Sequence, residues 1–249
     1  MRPQLDSLRA AAFACMQRNP LAVFDFDGPR APLVSDASAA APRPSTAALL
    51  AYLIEILPCA VVSCRSREDL GGRLGGLQFR AVVGNHGAEW DRPLPSDPAA
   101  RRDVQAWMRE LAPVLATYPN SRVEDKGLSL TLHHDGLLPL DLARVVTRLE
   151  GARIVPGIRS VNLIPSRLPN KGDAVLRLRA RFGAGAVVYV GDDASDEDVF
   201  RLGGAIDLLS VRVGASALSH ARYFLRSQAE VDDLLRLLVK GASHARLSA

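Results

Sequence analysis

Leu21-Ala22-Val23-Phe24-Asp25-Phe26-Asp27-Gly28 sets an unbroken apolar run against two carboxylates and a glycine. A short apolar run containing Val and Phe reads as a strand buried on both faces, and the abrupt change to polar residues marks its carboxyl end. Comparable runs recur at 60–63, 81–83, 186–190 and 206–209. Helical patterns fall between and after them. In 45–57, Leu49, Leu50, Leu53, Ile54 and Leu57 share one face and Ser45 is placed to cap; 171–182 and 229–240 also read as helices. Strand alternating with helix predicts a doubly wound, Rossmann-like α/β domain with a parallel sheet, which binds its ligands beyond the carboxyl ends of its strands.

The middle of the chain breaks that rhythm. Residues 101–117 read as a helix, 128–133 as a half-exposed strand, 139–150 as a helix and 159–164 as extended. This order predicts a smaller α/β cap inserted into the core, entered and left through the turn-rich segments 91–98 and 165–170. The expected division is a core over 1–92 and 168–249 with the cap over 93–167. The Ala/Pro/Ser-rich stretch 35–45 reads as a loop.

The 249 residues, 48% apolar and 23% charged, suffice for a sizeable core and are unlike a disordered chain. A net charge of +4 comes from arginines scattered along the chain, without the basic block that grips nucleic acid. No uncharged apolar run reaches membrane-spanning length, and the first twenty residues include Asp6 and Arg9 and lack the pattern of an export signal. Cys15, Cys59 and Cys64 form no even-numbered framework. A soluble, cytoplasmic protein is expected.

Asp25 and Asp27 sit at the carboxyl end of the first strand. A second acidic group, Gly191-Asp192-Asp193-Ala194-Ser195-Asp196-Glu197-Asp198, follows the run 186–190 in the same topological position. Carboxylates gathered at one sheet edge repel unless a cation is present, and a hard divalent ion with oxygen ligands is the natural neutraliser. Glu197 and Asp198 also fit the start of a following helix. Ser63 ends the run 60–63 and offers a hydroxyl. Lys171 opens a helix, where a cation opposes the helix dipole and so calls for a reason.

Taken in order, Asp-x-Asp-Gly, a strand-end serine, a helix-opening lysine and Gly-Asp-Asp-x-Ser-Asp resemble the haloacid dehalogenase-type phosphatases over nearly the whole chain. Gly84-Asn85-His86-Gly87-Ala88-Glu89, Val123-Glu124-Asp125-Lys126-Gly127-Leu128-Ser129-Leu130 and residues 191–198 are similar to the trehalose-6-phosphate phosphatases. The resemblance implies a Mg²⁺-dependent phosphoric monoester hydrolase acting on a small sugar phosphate. Asp25 would be the nucleophile that becomes an aspartyl phosphate, and Asp27 the acid and base. Mg²⁺ would be held by Asp25, the Asp27 carbonyl and Asp192, with Asp193 and Asp196 orienting those ligands from behind. Ser63 and Lys171 would cradle the phosphoryl oxygens. Arg65, Asn85, His86, Glu124, Lys126 and Asn162 would meet the substrate.

The sequence departs from the family at four places. Pro29 replaces a threonine and removes a backbone donor. Cys64 replaces glycine, so its side chain either crowds the phosphate or packs inward. Asp135 stands where a sugar-binding arginine is expected and Asn162 where a glutamate is. Trehalose 6-phosphate is therefore the leading substrate, beside another glycosyl phosphate such as glucosylglycerol phosphate or a glycosyl phosphoglycerate. A sugar-phosphate-binding regulatory domain without turnover is the third possibility. The consecutive His133 and His134 point to opposite faces of a strand and make a poor chelate, so neither they nor His220 are assigned to the site.

Overall fold

The computed structural model describes residues 3–26, 42–91, 97–157, 159–214 and 216–247. Asp27, Pro29 and most of the expected 35–45 loop lie outside them.

Helix α1 (Pro3–Met16) leads into strand β1 (Pro20–Phe24), every residue of which is buried. The chain then runs through α2 (Pro44–Ile56), β2 (Cys59–Val62), α3 (Arg67–Arg73) and β3 (Ala81–Val83). A second, mixed α/β segment follows: α4 (Pro98–Leu115), β4 (Arg122–Asp125), β5 (Leu130–His133), α5 (Leu140–Val146), β6 (Ala152–Gly157) and β7 (Ser160–Pro165). The chain returns through α6 (Lys171–Arg181), β8 (Ala186–Gly191), α7 (Glu197–Phe200), β9 (Leu208–Val213), β10 (Tyr223–Leu225) and α8 (Gln228–Leu247).

Six strands form one parallel sheet in the order β10-β9-β8-β1-β2-β3, and four form a separate sheet in the order β4-β5-β7-β6. Pairing in the second sheet is antiparallel. The parallel sheet is buried on both faces because alternate strand residues enter two different cores. Ala22, Phe24, Val61, Val188 and Val190 pack with Leu50, Leu53, Leu234 and Leu238 from α2 and α8. Leu21, Val23, Val62, Val187 and Tyr189 pack with Ala174, Val175, Leu178 and Phe200 from α6 and α7. Helices thus cover both sides, as the doubly wound reading expects.

Some expectations shift. Ser45 does not cap α2: Pro44 starts the helix, which needs no N–H there, and Arg43 sits at the cap position with no side-chain capping bond, its guanidinium turned to Asp232 at 3.1 Å. Ser45 Oγ donates instead to the buried Asp232 carboxylate at 2.9 Å, beside Thr46 Oγ1 at 2.7 Å. The run 206–209 lies too early. Ile206 packs against the second core ahead of the ladder, and β9 begins at Leu208. Helix α3, with Gly71 and Gly72 in it, escapes a propensity reading. A Ser66 cap and the Asp69 pairs to Arg65 and Arg73 sustain it. β6 carries Pro156, which is tolerated because β6 is an edge strand.

Cys15 and Cys59 are buried free thiols. Burial, with a smaller push from the Asp207 carboxylate, raises the Cys15 thiol to about 12. Neither is a ready nucleophile. No helix among the described residues is long and apolar enough to cross a membrane.

Candidate active site

β1 lies between β2 and β8, so the chain leaves it to one side and later returns to the other. The carboxyl ends of β1 and β8 flank the crevice where such sheets bind ligands. Asp25 follows β1, and its N–H donates to Val190 O of β8 at 2.9 Å. Asp192 follows β8. Ligand oxygens of Asp25, Asp192 and Asp196 lie within 4.8 Å of one another, and all three residues are buried.

Lys171 supplies the balancing charge from the first turn of α6. It is 1% exposed, with Nζ 3.0 Å from Asp25 Oδ1 and 2.8 Å from Asp196 Oδ1. Burial alone would lower the pKa of the ammonium, but Asp196 and Asp25 more than offset it and hold the pKa well above the usual lysine value. Gly172 lets α6 approach this closely, since a Cβ there would meet Asp198 O at 2.5 Å.

Asp196 is saturated with partners. Oδ1 accepts from Lys171 Nζ and from Tyr189 OH at 2.6 Å, and Oδ2 accepts the N–H groups of Asp192 and Asp193 at 2.7 and 2.8 Å. Asp192 contrasts with it, because its Oδ1 is buried and meets no hydrogen-bond partner. An orphaned carboxylate oxygen facing two further acids fits a hard divalent cation by the chemistry of the donors. Asp25 and Asp192 would hold the ion, while Asp196 fixes the loop behind it.

Other sequence-selected residues surround this centre. Ser63 is fully buried, and its Oγ accepts the Arg65 N–H at 3.1 Å. The Arg65 guanidinium is engaged by Asp69 on α3. Asn85 and His86 hold left-handed backbone, with φ of 47° and 57°, and their N–H groups bond Arg65 O and Ser63 O at 2.7 and 2.9 Å. Such strain in non-glycine residues persists only where the surroundings impose it. His86 is buried and kept neutral by desolvation and by the cations Lys171, Lys126 and Arg153. Asp193 caps the turn after β8, its side chain accepting the Ala194 N–H at 2.7 Å.

The antiparallel sheet is two-sided. Leu130, Leu132, Val161 and Leu163 pack on α4 and α5 through Val104, Trp107, Leu111, Leu142 and Val146. Strand register places Glu124, Thr131 and Asn162 side by side on the opposite, polar face. There Glu124 Oε2 lies 2.8 Å from His133 Nε2, and Thr131 Oγ1 donates to Asn162 Oδ1 at 2.8 Å. The two sheets meet at Asn85. Its Nδ2 donates to Glu89 Oε2 at 2.7 Å and Lys126 O at 3.2 Å, while its Oδ1 accepts from Ser129 Oγ at 2.8 Å. Lys126 Nζ reaches back to Cys64 O at 3.3 Å. Asp135 pairs with Arg159 at 2.9 Å, both side chains exposed.

A family model described as trehalose-phosphatase matches residues 23–228. The chain belongs to the trehalose-phosphatase family. A trehalose-phosphate phosphatase of Mycobacterium avium is 32% identical over 213 residues, covering 78% of this chain and 54% of the relative. The chain thus spans about half the length of the curated relatives it matches. Among solved structures, the C-terminal domain of Candida albicans trehalose-6-phosphate phosphatase aligns with a TM-score of 0.75 at 22% identity, over 93% of this chain and 97% of that one. The Aspergillus fumigatus trehalose-6-phosphate phosphatase gives a TM-score of 0.64 at 25% identity, over 93% and 97%. The fold is the haloacid dehalogenase type.

Within this trehalose-phosphatase framework, sequence reasoning missed several groups. Tyr189 was read only as part of an apolar run, yet its hydroxyl holds Asp196. Ser195 places a buried hydroxyl without a partner in the acidic loop. His133 was set aside as a chelator, which leaves open its use as a hydrogen-bond partner for Glu124.

The crowding of acids has a measurable signature. Burial, with Asp196 and Asp193 nearby, raises Asp192 from 3.8 to about 8 in the metal-free protein. Between those values the folded chain retains a proton that the unfolded chain has lost, so stability falls as pH rises through the window. A divalent cation held by Asp192 would bind the deprotonated form and remove that cost. Melting in a chelator is therefore expected to weaken from about pH 5 to about pH 8, and the gain from added Mg²⁺ to be larger at the higher pH. An Mg²⁺ gain that is the same at both would dissociate Asp192 from the cation.

Proposed function

We propose that this chain is a Mg²⁺-dependent phosphomonoesterase hydrolysing trehalose 6-phosphate to trehalose and phosphate through an aspartyl phosphate on Asp25. The observation that carries this reading is the buried convergence of Asp25, Asp192 and Asp196 at the carboxyl ends of neighbouring strands, with Lys171 paired to Asp25 and Asp196.

Asp25 attacks phosphorus while Lys171 and the Ser63 hydroxyl hold the phosphoryl oxygens, so two anions approach each other with their repulsion offset. Asp27, which lies outside the described residues, gives a proton to the departing sugar oxygen. It then takes one from the water that cleaves the acyl phosphate. Asp25, Asp192 and the Asp27 carbonyl would hold Mg²⁺, which would supply electrostatic stabilisation of the transferring group. Arg65, Asn85 and His86 on the core side, with Glu124 and Asn162 on the other sheet and Lys126 just after β4, bind the sugar phosphate. We assign 1–92 and 168–249 to the core and 93–167 to a cap whose closure excludes water. The free, buried cysteines suit a reducing, cytoplasmic setting.

A second substrate reading, another glycosyl phosphate, draws support from Asp135. In place of a cation directed at the sugar, the chain carries an anion turned outward to Arg159. Phosphate release by the purified chain with Mg²⁺ from trehalose 6-phosphate, glucosylglycerol phosphate, a glycosyl phosphoglycerate and glucose 6-phosphate separates these readings. Trehalose 6-phosphate is expected to exceed glucose 6-phosphate by about 10²-fold or more in kcat/KM, since buried groups that bond hydroxyls discriminate strongly. Equal rates for those two would refute the leading substrate, and a faster glycosyl phosphate would install the second.

A further inference from the structure

Arg212 lies on β9 directly beside Gly191, the last residue of β8. Its guanidinium spans the start of the acidic loop. Nη2 donates to Asp192 O at 2.5 Å, and Nη1 donates to Asp193 O at 3.1 Å and to Glu197 Oε1 at 3.1 Å. Glu197 is itself fixed, accepting the His220 N–H at 2.9 Å with His220 Nδ1 at 3.2 Å. The Arg212 side chain is 14% exposed and that of Glu197 12%, so the pair is largely shielded from solvent.

These contacts complement those of Asp196. The carboxylate of Asp196 takes both N–H groups of the Asp192–Asp193 step, and the guanidinium of Arg212 takes both of its carbonyls. The main chain of this step is therefore gripped on its donors and on its acceptors at once. Only the Asp192 side chain is left to face inward, with its buried oxygen unpartnered.

We propose that Arg212 is a positioning residue that locks the Asp192–Asp193 main chain and thereby aims the Asp192 carboxylate into the cation site. This rests on the cation site proposed above. Charge and geometry make opposite forecasts. A guanidinium near the site repels a cation, so a purely electrostatic role predicts tighter Mg²⁺ binding once the charge is removed. A positioning role predicts weaker binding, and weaker binding also for Arg212→Lys, which keeps the charge but cannot fork across two carbonyls and a carboxylate.

Calorimetric titration of the metal-free chain with Mg²⁺, without substrate, tests this on wild type, Arg212→Gln, Arg212→Lys and Asp192→Asn. Both Arg212 variants are expected to raise the Kd for Mg²⁺ by about 10-fold or more, in the range seen when residues supporting a metal ligand are altered. Circular dichroism verifies the fold, and Arg212→Lys carries the test if Arg212→Gln does not fold. An unchanged or tighter Kd in a folded Arg212 variant would overturn the positioning role. Failure of wild type to bind Mg²⁺, or an undiminished affinity in Asp192→Asn, would instead overturn the cation site itself.

Discussion

Asp25→Asn is expected to lower phosphate release by about 10³-fold or more while the chain stays folded. An amide cannot attack phosphorus, whereas Oδ1 remains able to accept hydrogen bonds, the ion pair with Lys171 becoming a neutral bond. Asn Oδ1 can still accept the Phe26 N–H, now bonded at 2.9 Å, and Lys171 keeps Asp196 at 2.8 Å. Removing one anion also relieves repulsion among the buried acids, so the metal-free melting temperature should hold or rise. Phosphate assays beside melting curves in a chelator check both halves. Activity within about tenfold of wild type would strip Asp25 of the nucleophile's role. A wild-type chain inert toward every ester of the panel would favour the non-catalytic, sugar-phosphate-binding alternative.

Gly191→Ala should be nearly as damaging, through a different cause. A Cβ at this position would sit 2.4 Å from Asp196 Cγ and Oδ2 and 2.8 Å from Oδ1. That carboxylate has no room to retreat, because Lys171, Tyr189 and two backbone N–H groups fix both of its oxygens. Forcing it aside breaks several buried bonds, each costly to leave unmade. A loss of about 3 kcal/mol or more is expected, with the thermal response to Mg²⁺ abolished. Gly71→Ala, whose Cβ would meet nothing within 4 Å, serves as the control. A Gly191→Ala chain that melts normally and still responds to Mg²⁺ would show that Asp196 does not govern the loop.

Side-chain chemistry explains which parts of this arrangement could be read from the sequence. Buried parallel strands announce themselves as apolar runs, so β1, β2, β3 and β8 were legible, as were the acids at the ends of β1 and β8. Lys171 was legible as an anomaly, a cation at a helix start, and the buried Asp25 and Asp196 supply its reason. Arg212 left no signal, since its partners are mainly carbonyls that any residue possesses. The edge strands β4 and β6 hid behind charge and proline respectively, because an edge needs neither an apolar run nor a full set of N–H donors. The alternation that separates His133 from His134 was read correctly for chelation, but it equally places one of the pair beside Glu124.

Glu124, Thr131, His133 and Asn162 belong to one sheet and the buried acids to another, with Asn85 among the few groups bonded across the seam. Under the function proposed above, heritable variation could therefore revise the menu of sugars accepted without disturbing the machinery that cuts the ester. Divergence along this lineage is expected to run fast over the antiparallel face and slowly at Asn85, where a change would have to satisfy two neighbourhoods at once.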